Sequence, residues 1–147
     1  DALPMPVNMR DPILALAVNS SAFEAAINQQ PLKVAGLSAA QYSLRIDGVS
    51  AGEFTKEQLA GGINLAPMLT PMLSQAMEVH QLTLQHNNTH FFRWRQIEVP
   101  LAAYRSEGVQ RAGKELLAAL DEEEAAVVKQ QRAAAQPVAR KYELLPR

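Results

Sequence analysis

From Met72 to Val99 the chain runs without a glycine or a proline, and no other stretch constrains the fold as strongly. Thr70 and Pro71 stand directly before it. Threonine is a good N-cap, because its hydroxyl accepts from a free first-turn N–H, and proline suits the first helical position, where no N–H is needed. Met72, Leu73, Ala76, Met77, His80, Leu84, Phe91, Trp94 and Ile97 follow at three- to four-residue steps, the period of one helix face. The spacing predicts a continuous helix over 71–97, roughly 40 Å long at 1.5 Å per residue. Asn87-Asn88-Thr89 is its weakest stretch, because short polar side chains compete for backbone hydrogen bonds, and a kink would fall there. Pro100 turns the chain. Residues 106–135 read as a second helix with Leu116, Leu117, Leu120, Val127 and Val128 as its apolar stripe, ended by Pro137. Within it, the acidic run Asp121 to Glu124 reads as a solvated face.

The first half has a different period. Prolines 4, 6 and 12 make residues 1–12 extended, and Ile13 to Val18 is a short apolar run. Ser20 or Ser21 caps a short helix through Phe23, Ala26 and Ile27, which Pro31 ends. Leu32 to Ala35 alternates as a strand does. So does Tyr42 to Ile46, with Tyr42, Leu44 and Ile46 on one face. Asp47-Gly48 then leads into Val49 to Phe54. A type I′ hairpin turn needs positive φ at both central residues, and Asp-Gly supplies it. A small antiparallel sheet over about 32–54 is expected. Thr55-Lys56-Glu57-Gln58 is a capping box for a short helix that Gly61-Gly62 stops. Ile63 to Leu65 is a brief extended piece, and the tail with Tyr142 to Pro146 is extended and able to dock back on the body.

The fold class is therefore α+β: a small antiparallel β unit with a hairpin, followed by a long two-helix arm. The expected organisation is an α+β unit over 1–69, which would complete an upstream domain, a helical hairpin over 70–136 and an extended tail over 137–147. With 147 residues, a chain of this size buries roughly 70% of its unfolded surface, so it can build a core. A net charge of −1 gives no field to draw it onto nucleic acid or anionic lipid. The absence of cysteine removes disulfides, thiolate metal sites and a cysteine nucleophile together. No stretch approaches the ~18 apolar residues of a membrane span. The start, Asp1-Ala2-Leu3-Pro4, has neither the basic nor the apolar region of a signal peptide, and reads as a processed or internal start.

Three constellations invite chemistry. Gly48-Val49-Ser50-Ala51-Gly52 matches the G-x-S-x-G nucleophile pattern, but that serine must stand on a strand-to-helix elbow, and here it falls just after a hairpin turn. His86 and His90 share a helix face at metal-capable spacing, yet Asn87 stands where a zinc-protease helix has glutamate, and no metal is expected. Phe91-Phe92-Arg93-Trp94-Arg95 is the densest aromatic–basic cluster. Nucleic-acid binding would want a wider basic surface, so Trp94 reads as a core or interface anchor. His86, Asn87, Asn88, His90, Arg93 and Trp94 are thus the candidates for ligand or interdomain contacts, with no catalytic residue, metal or cofactor assigned.

Several stretches together resemble a known family: Gln30 to Leu37, Tyr42 to Gly48, Phe54 to Ala66, Thr70-Pro71-Met72 with the run to His80, His86-Asn87-Asn88 with His90-Phe91 and Arg93-Trp94-Arg95, and the ending Tyr142 to Pro146. The set resembles the C-terminal region of a group of bacterial SGNH (GDSL-type) hydrolases, in which a flavodoxin-like core is followed by a small β unit and a helical extension. The resemblance covers most of the chain through many short matches. It implies export or a periplasmic location for an ester hydrolase. It also implies that the catalytic groups lie elsewhere. Such enzymes need a Gly-Asp-Ser nucleophile, oxyanion donors that include a Gly-x-Asn-Asp block, and a late Asp-x-x-His. There is no Gly-Asp-Ser here, and none of Asp1, Asp11, Asp47 and Asp121 has histidine three positions on. Gly62-Ile63-Asn64-Leu65 mimics the oxyanion block without its aspartate. The expected role is an accessory portion that contributes structure, substrate gating or dimerisation. Its expected partner is an upstream catalytic segment or companion chain, with homo-oligomers forming through the helical arm. A non-enzymatic interaction module built on the helical hairpin is the competing expectation, and a hydrolase on Ser50 a third.

Overall fold

The structure is a computed structural model that describes residues 2–147; Asp1, where the expected extended segment begins, lies outside the described residues. The protein is α+β and divides into two compact units, one made of residues 2–77 with Pro137–Arg147, the other of Glu78–Gln136.

In the first unit the hairpin is the organising element. Strands β2 (Gln41–Ile46) and β3 (Val49–Thr55) pair antiparallel, Ile46 opposite Val49. Asp47 and Gly48, both at positive φ (51° and 80°), make the turn. Tyr42, Leu44 and Ile46 point into the core. The register shifts between Leu44 and Arg45, so Ala51 is an extra residue in β3, a bulge. The tail completes the sheet. Strand β5 (Tyr142–Pro146) pairs antiparallel with the other edge of β2, giving the order β3-β2-β5. Central position explains why Ser43, on the face opposite Leu44, is only 6% exposed.

Helix α1 (Pro12–Asn19) is a departure from the extended chain expected through residue 12. Asp11 caps it by accepting from the N–H groups of Ile13 and Leu14, and Pro12 takes the first helical position. Helix α2 (Phe23–Ala26) follows. A second correction concerns Leu32 to Ala35. Only Pro31–Leu32 forms a strand, β1, paired with β4 (Ile63–Asn64). Val34 donates to the carbonyl of Leu59 at 2.9 Å, so this backbone is bonded to the next helix and not to a ladder. That helix, α3 (Lys56–Gly61), starts with the full Thr55/Gln58 capping box. Leu44, Ile46, Leu65 and Met72 form the core, with Leu32, Phe54 and Leu144 packed against it.

Helix α4 (Pro71–Phe91) begins with Thr70 accepting from the N–H of Leu73 at 3.2 Å. It runs regularly through Asn87-Asn88-Thr89, so no kink falls there. The irregularity comes later, as a π-helix over Phe92–Glu98 that leads directly into the short α5 (Val99–Leu101). Pro100 supplies the cause. It cannot donate to the carbonyl four residues back, and its ring would clash there. The wider turn, in which Val99 donates to the carbonyl of Trp94, accommodates it. Helix α6 (Glu107–Ala134) completes the second unit.

Candidate functional site

The second unit is an antiparallel helical hairpin whose register can be read from its polar contacts. Thr83 meets Gln131, His90 meets Glu124 and Arg93 meets Asp121, so numbers climb on one helix as they fall on the other. His86, His90 and Arg93 all lie on the face of α4 and the π-helix that looks at α6. Glu124 sits between the two imidazoles, its Oε2 3.2 Å from His90 Nδ1 and 3.7 Å from His86 Nε2. Its Oε1 is buried and has no hydrogen-bond partner among the described residues. Among the described residues no group of three His, Cys, Asp or Glu side chains is arranged to hold a metal ion.

Arg93 makes three further polar contacts. Its guanidinium grips Asp121 through Nε at 2.5 Å and Nη2 at 3.2 Å, and reaches Glu98 through Nη1 at 3.0 Å. Hydrogen bonding to Asp121 is the leading cause that raises its pKa further, so this fork stays charged. The acidic run 121–124 is therefore not uniformly solvated, as the sequence suggested. Asp121 and Glu124 fall in step with Leu117, Leu120, Val127 and Val128, and turn toward the partner helix. Asp121 stays exposed while it holds Arg93, as Glu122 and Glu123 do without such a contact among the described residues, so Glu124 is the member of the run withdrawn from solvent. That shared spacing was the available signal for these two missed residues.

The other candidates point elsewhere. Asn87 and Asn88 are exposed. Trp94 is 48% exposed, with the Arg95 guanidinium 5.8 Å from its ring centre, a cation–π contact, so it is not a core residue of this chain. Phe91 and Phe92 are also exposed. The six sequence candidates thus split into two sets: His86, His90 and Arg93 tie the hairpin together, while Asn87, Asn88 and Trp94 face outward.

In the first unit, Ser50 lies opposite Arg45 within bulged β3, and is exposed. A strand serine of this kind lacks the elbow that lifts a nucleophile above a sheet. Asn64, the residue that mimics an oxyanion donor, has its side chain committed to the scaffold. Its Oδ1 accepts from the N–H of Gln30 at 2.8 Å and of Ala66 at 3.2 Å. Its Nδ2 donates to the carbonyl of Asn28 at 2.9 Å and to Glu24 at 3.3 Å. Asn28, itself buried, donates to the other oxygen of Glu24 and accepts from the N–H of Met5 at 2.9 Å. No local sequence pattern announces this Glu24–Asn28–Asn64 knot, because its members are up to 40 residues apart.

No family model matches the chain, and no curated protein matches it. Among solved structures, the fold is similar to one described as "BT4096 a gut microbial diltiazem-metabolizing enzyme", with a TM-score of 0.71 and 22% identity. The similarity covers 99% of this chain and 41% of that one. The chain thus spans less than half the length of the protein it resembles, and no helix among the described residues is long and apolar enough to cross a membrane.

Proposed function

We propose that this chain is the C-terminal accessory portion of an SGNH-type ester hydrolase, contributing structure, substrate gating or dimerisation and not the catalytic residues. The observation that carries the reading is the fold similarity to a diltiazem-metabolizing enzyme, which extends over nearly all of this chain and under half of that one. The scattered sequence resemblance to the C-terminal region of SGNH hydrolases points the same way. The chemistry agrees with a supporting role. Acyl transfer needs a nucleophile, a base and oxyanion donors around one carbonyl. Ser50 lies in a hairpin strand, and Asn64 spends all four of its hydrogen bonds on backbone and Glu24.

A fluorophosphonate probe, which labels activated serines, tests this directly. The expected result is that this chain takes no label and an associated catalytic polypeptide or upstream segment takes it. Labelling of Ser50, abolished by Ser50→Ala together with ester hydrolysis, would refute the proposal. A second reading, an interaction module without catalytic company, is favoured by one feature: Phe91, Phe92 and Trp94 stand exposed where α4 passes into the π-helix. It predicts a folded chain that no fluorophosphonate-reactive polypeptide accompanies.

A further inference from the structure

Helix α1 is apolar almost all round, yet none of its residues is buried. Its sequence, Pro12-Ile13-Leu14-Ala15-Leu16-Ala17-Val18-Asn19, contains a single polar residue; Ile13 is 77% exposed and Leu16 is 70% exposed. At about 100° per residue, Ile13, Leu14 and Leu16 spread over roughly 160° of the circumference. A helix that is apolar around so much of its surface is normally enclosed by protein. Its local construction is nevertheless complete, with Asp11 accepting from two first-turn N–H groups. The apolar surface continues beyond it. Ile27, just past α2, is 61% exposed, and α2 contacts α1. On the other side of Asp11, Val7 and Met9 line an open hollow of about 430 Å³ with Leu69, Leu73 and Met77, and Leu69 is itself 63% exposed.

We infer that α1, Ile27 and this hollow form the surface on which the hydrolase domain docks, an inference that rests on the accessory-portion reading above. Three observations favour that occupant over a second copy of this chain. Two copies of α1 packed across a two-fold axis would cover one stripe of each helix and leave the rest of the arc wet. Residues 12–19 carry no charge and Arg10 is the one charged residue lining the hollow, so the surface suits a mainly apolar partner more than one chosen by ion pairing. And in the similar solved structure this fold occupies 41% of the chain, joined there to a larger body.

The test is hydrogen exchange on the whole assembly that contains this chain, compared with the double variant I13E/L16E. Both side chains face solvent in this chain, so the sheet should persist, as near-identical circular dichroism would verify. An uncovered helix this short is marginal in water. The inference predicts that α1 amides exchange at least ~10-fold more slowly in the wild-type assembly than in the variant, and that the variant loosens its hold on the fluorophosphonate-reactive part. Equal α1 exchange in the two, with the reactive part still attached to both, would overturn the docking surface and leave the accessory reading intact. Slow exchange lost together with a dimer of this chain, and no reactive part in the wild-type assembly, would overturn both.

Discussion

Replacing Asn64 separates a scaffold role from a chemical one. The side chain makes four hydrogen bonds, two of them to the N–H groups of Gln30 and Ala66 and one to the carbonyl of Asn28. At about 1 kcal/mol net for each bond the ceiling is near 4 kcal/mol. Asn64 is half-buried, so water can reach some of the groups left behind, and Asn64→Ala is expected to cost about 2–3 kcal/mol. The loss should appear in urea unfolding as a lower midpoint with an unchanged slope. Asn64→Asp makes a sharper version. It keeps both acceptor bonds, loses both donor bonds and sets a second carboxylate against Glu24, which now receives the amide at 3.3 Å. It should therefore be destabilised at neutral pH and recover as acid protonates the pair. An Asn64→Ala protein within ~0.5 kcal/mol of wild type would refute the scaffold assignment. If that protein also lost ester hydrolysis in the assembly, Asn64 would be an oxyanion donor after all.

Asp47 should make stability depend on acid. Its carboxylate accepts from the N–H of Lys141 at 2.8 Å and from Arg140 at 3.0 Å, which hold its pKa below the ordinary 3.8, the Lys141 bond being the larger cause. The stabilisation is complete above the unfolded value and is lost as pH falls through the lower folded one, so Asp47→Asn should flatten the decline of the unfolding midpoint below about pH 4. Two glycines of α6 should respond oppositely to alanine. At Gly108 a Cβ would meet only the Ser106 hydroxyl at 3.8 Å, and the gain in helix propensity should stabilise by up to ~1 kcal/mol. At Gly113 a Cβ would overlap the end of the Leu101 side chain, so Gly113→Ala should lower the melting temperature of the hairpin unless Leu101 changes rotamer.

The hairpin turn, the capping box, the Thr70-Pro71 start and the ends of α6 were legible in the sequence, because each is set by local chemistry. Asp-Gly supplies two positive φ values, and a threonine hydroxyl reaches only its own first turn. The period of Tyr42, Leu44 and Ile46 likewise named the buried face of β2, since a strand alternates whatever it packs against. The limits of that information are equally physical. A run such as Leu32 to Ala35 alternates like a strand, but a strand exists only where a second edge offers hydrogen bonds, and β4 offers them to Pro31 and Leu32 alone. Glu124 became a contact and not part of a solvated face, and Asp121, still exposed, became an ion-pair partner, because α4 and the π-helix after it lie opposite with His86, His90 and Arg93. Asn64 looked like part of an oxyanion block because motif letters carry no partners. Folding brought Gln30, Asn28 and Glu24 to it, and those distant groups decided what its amide does.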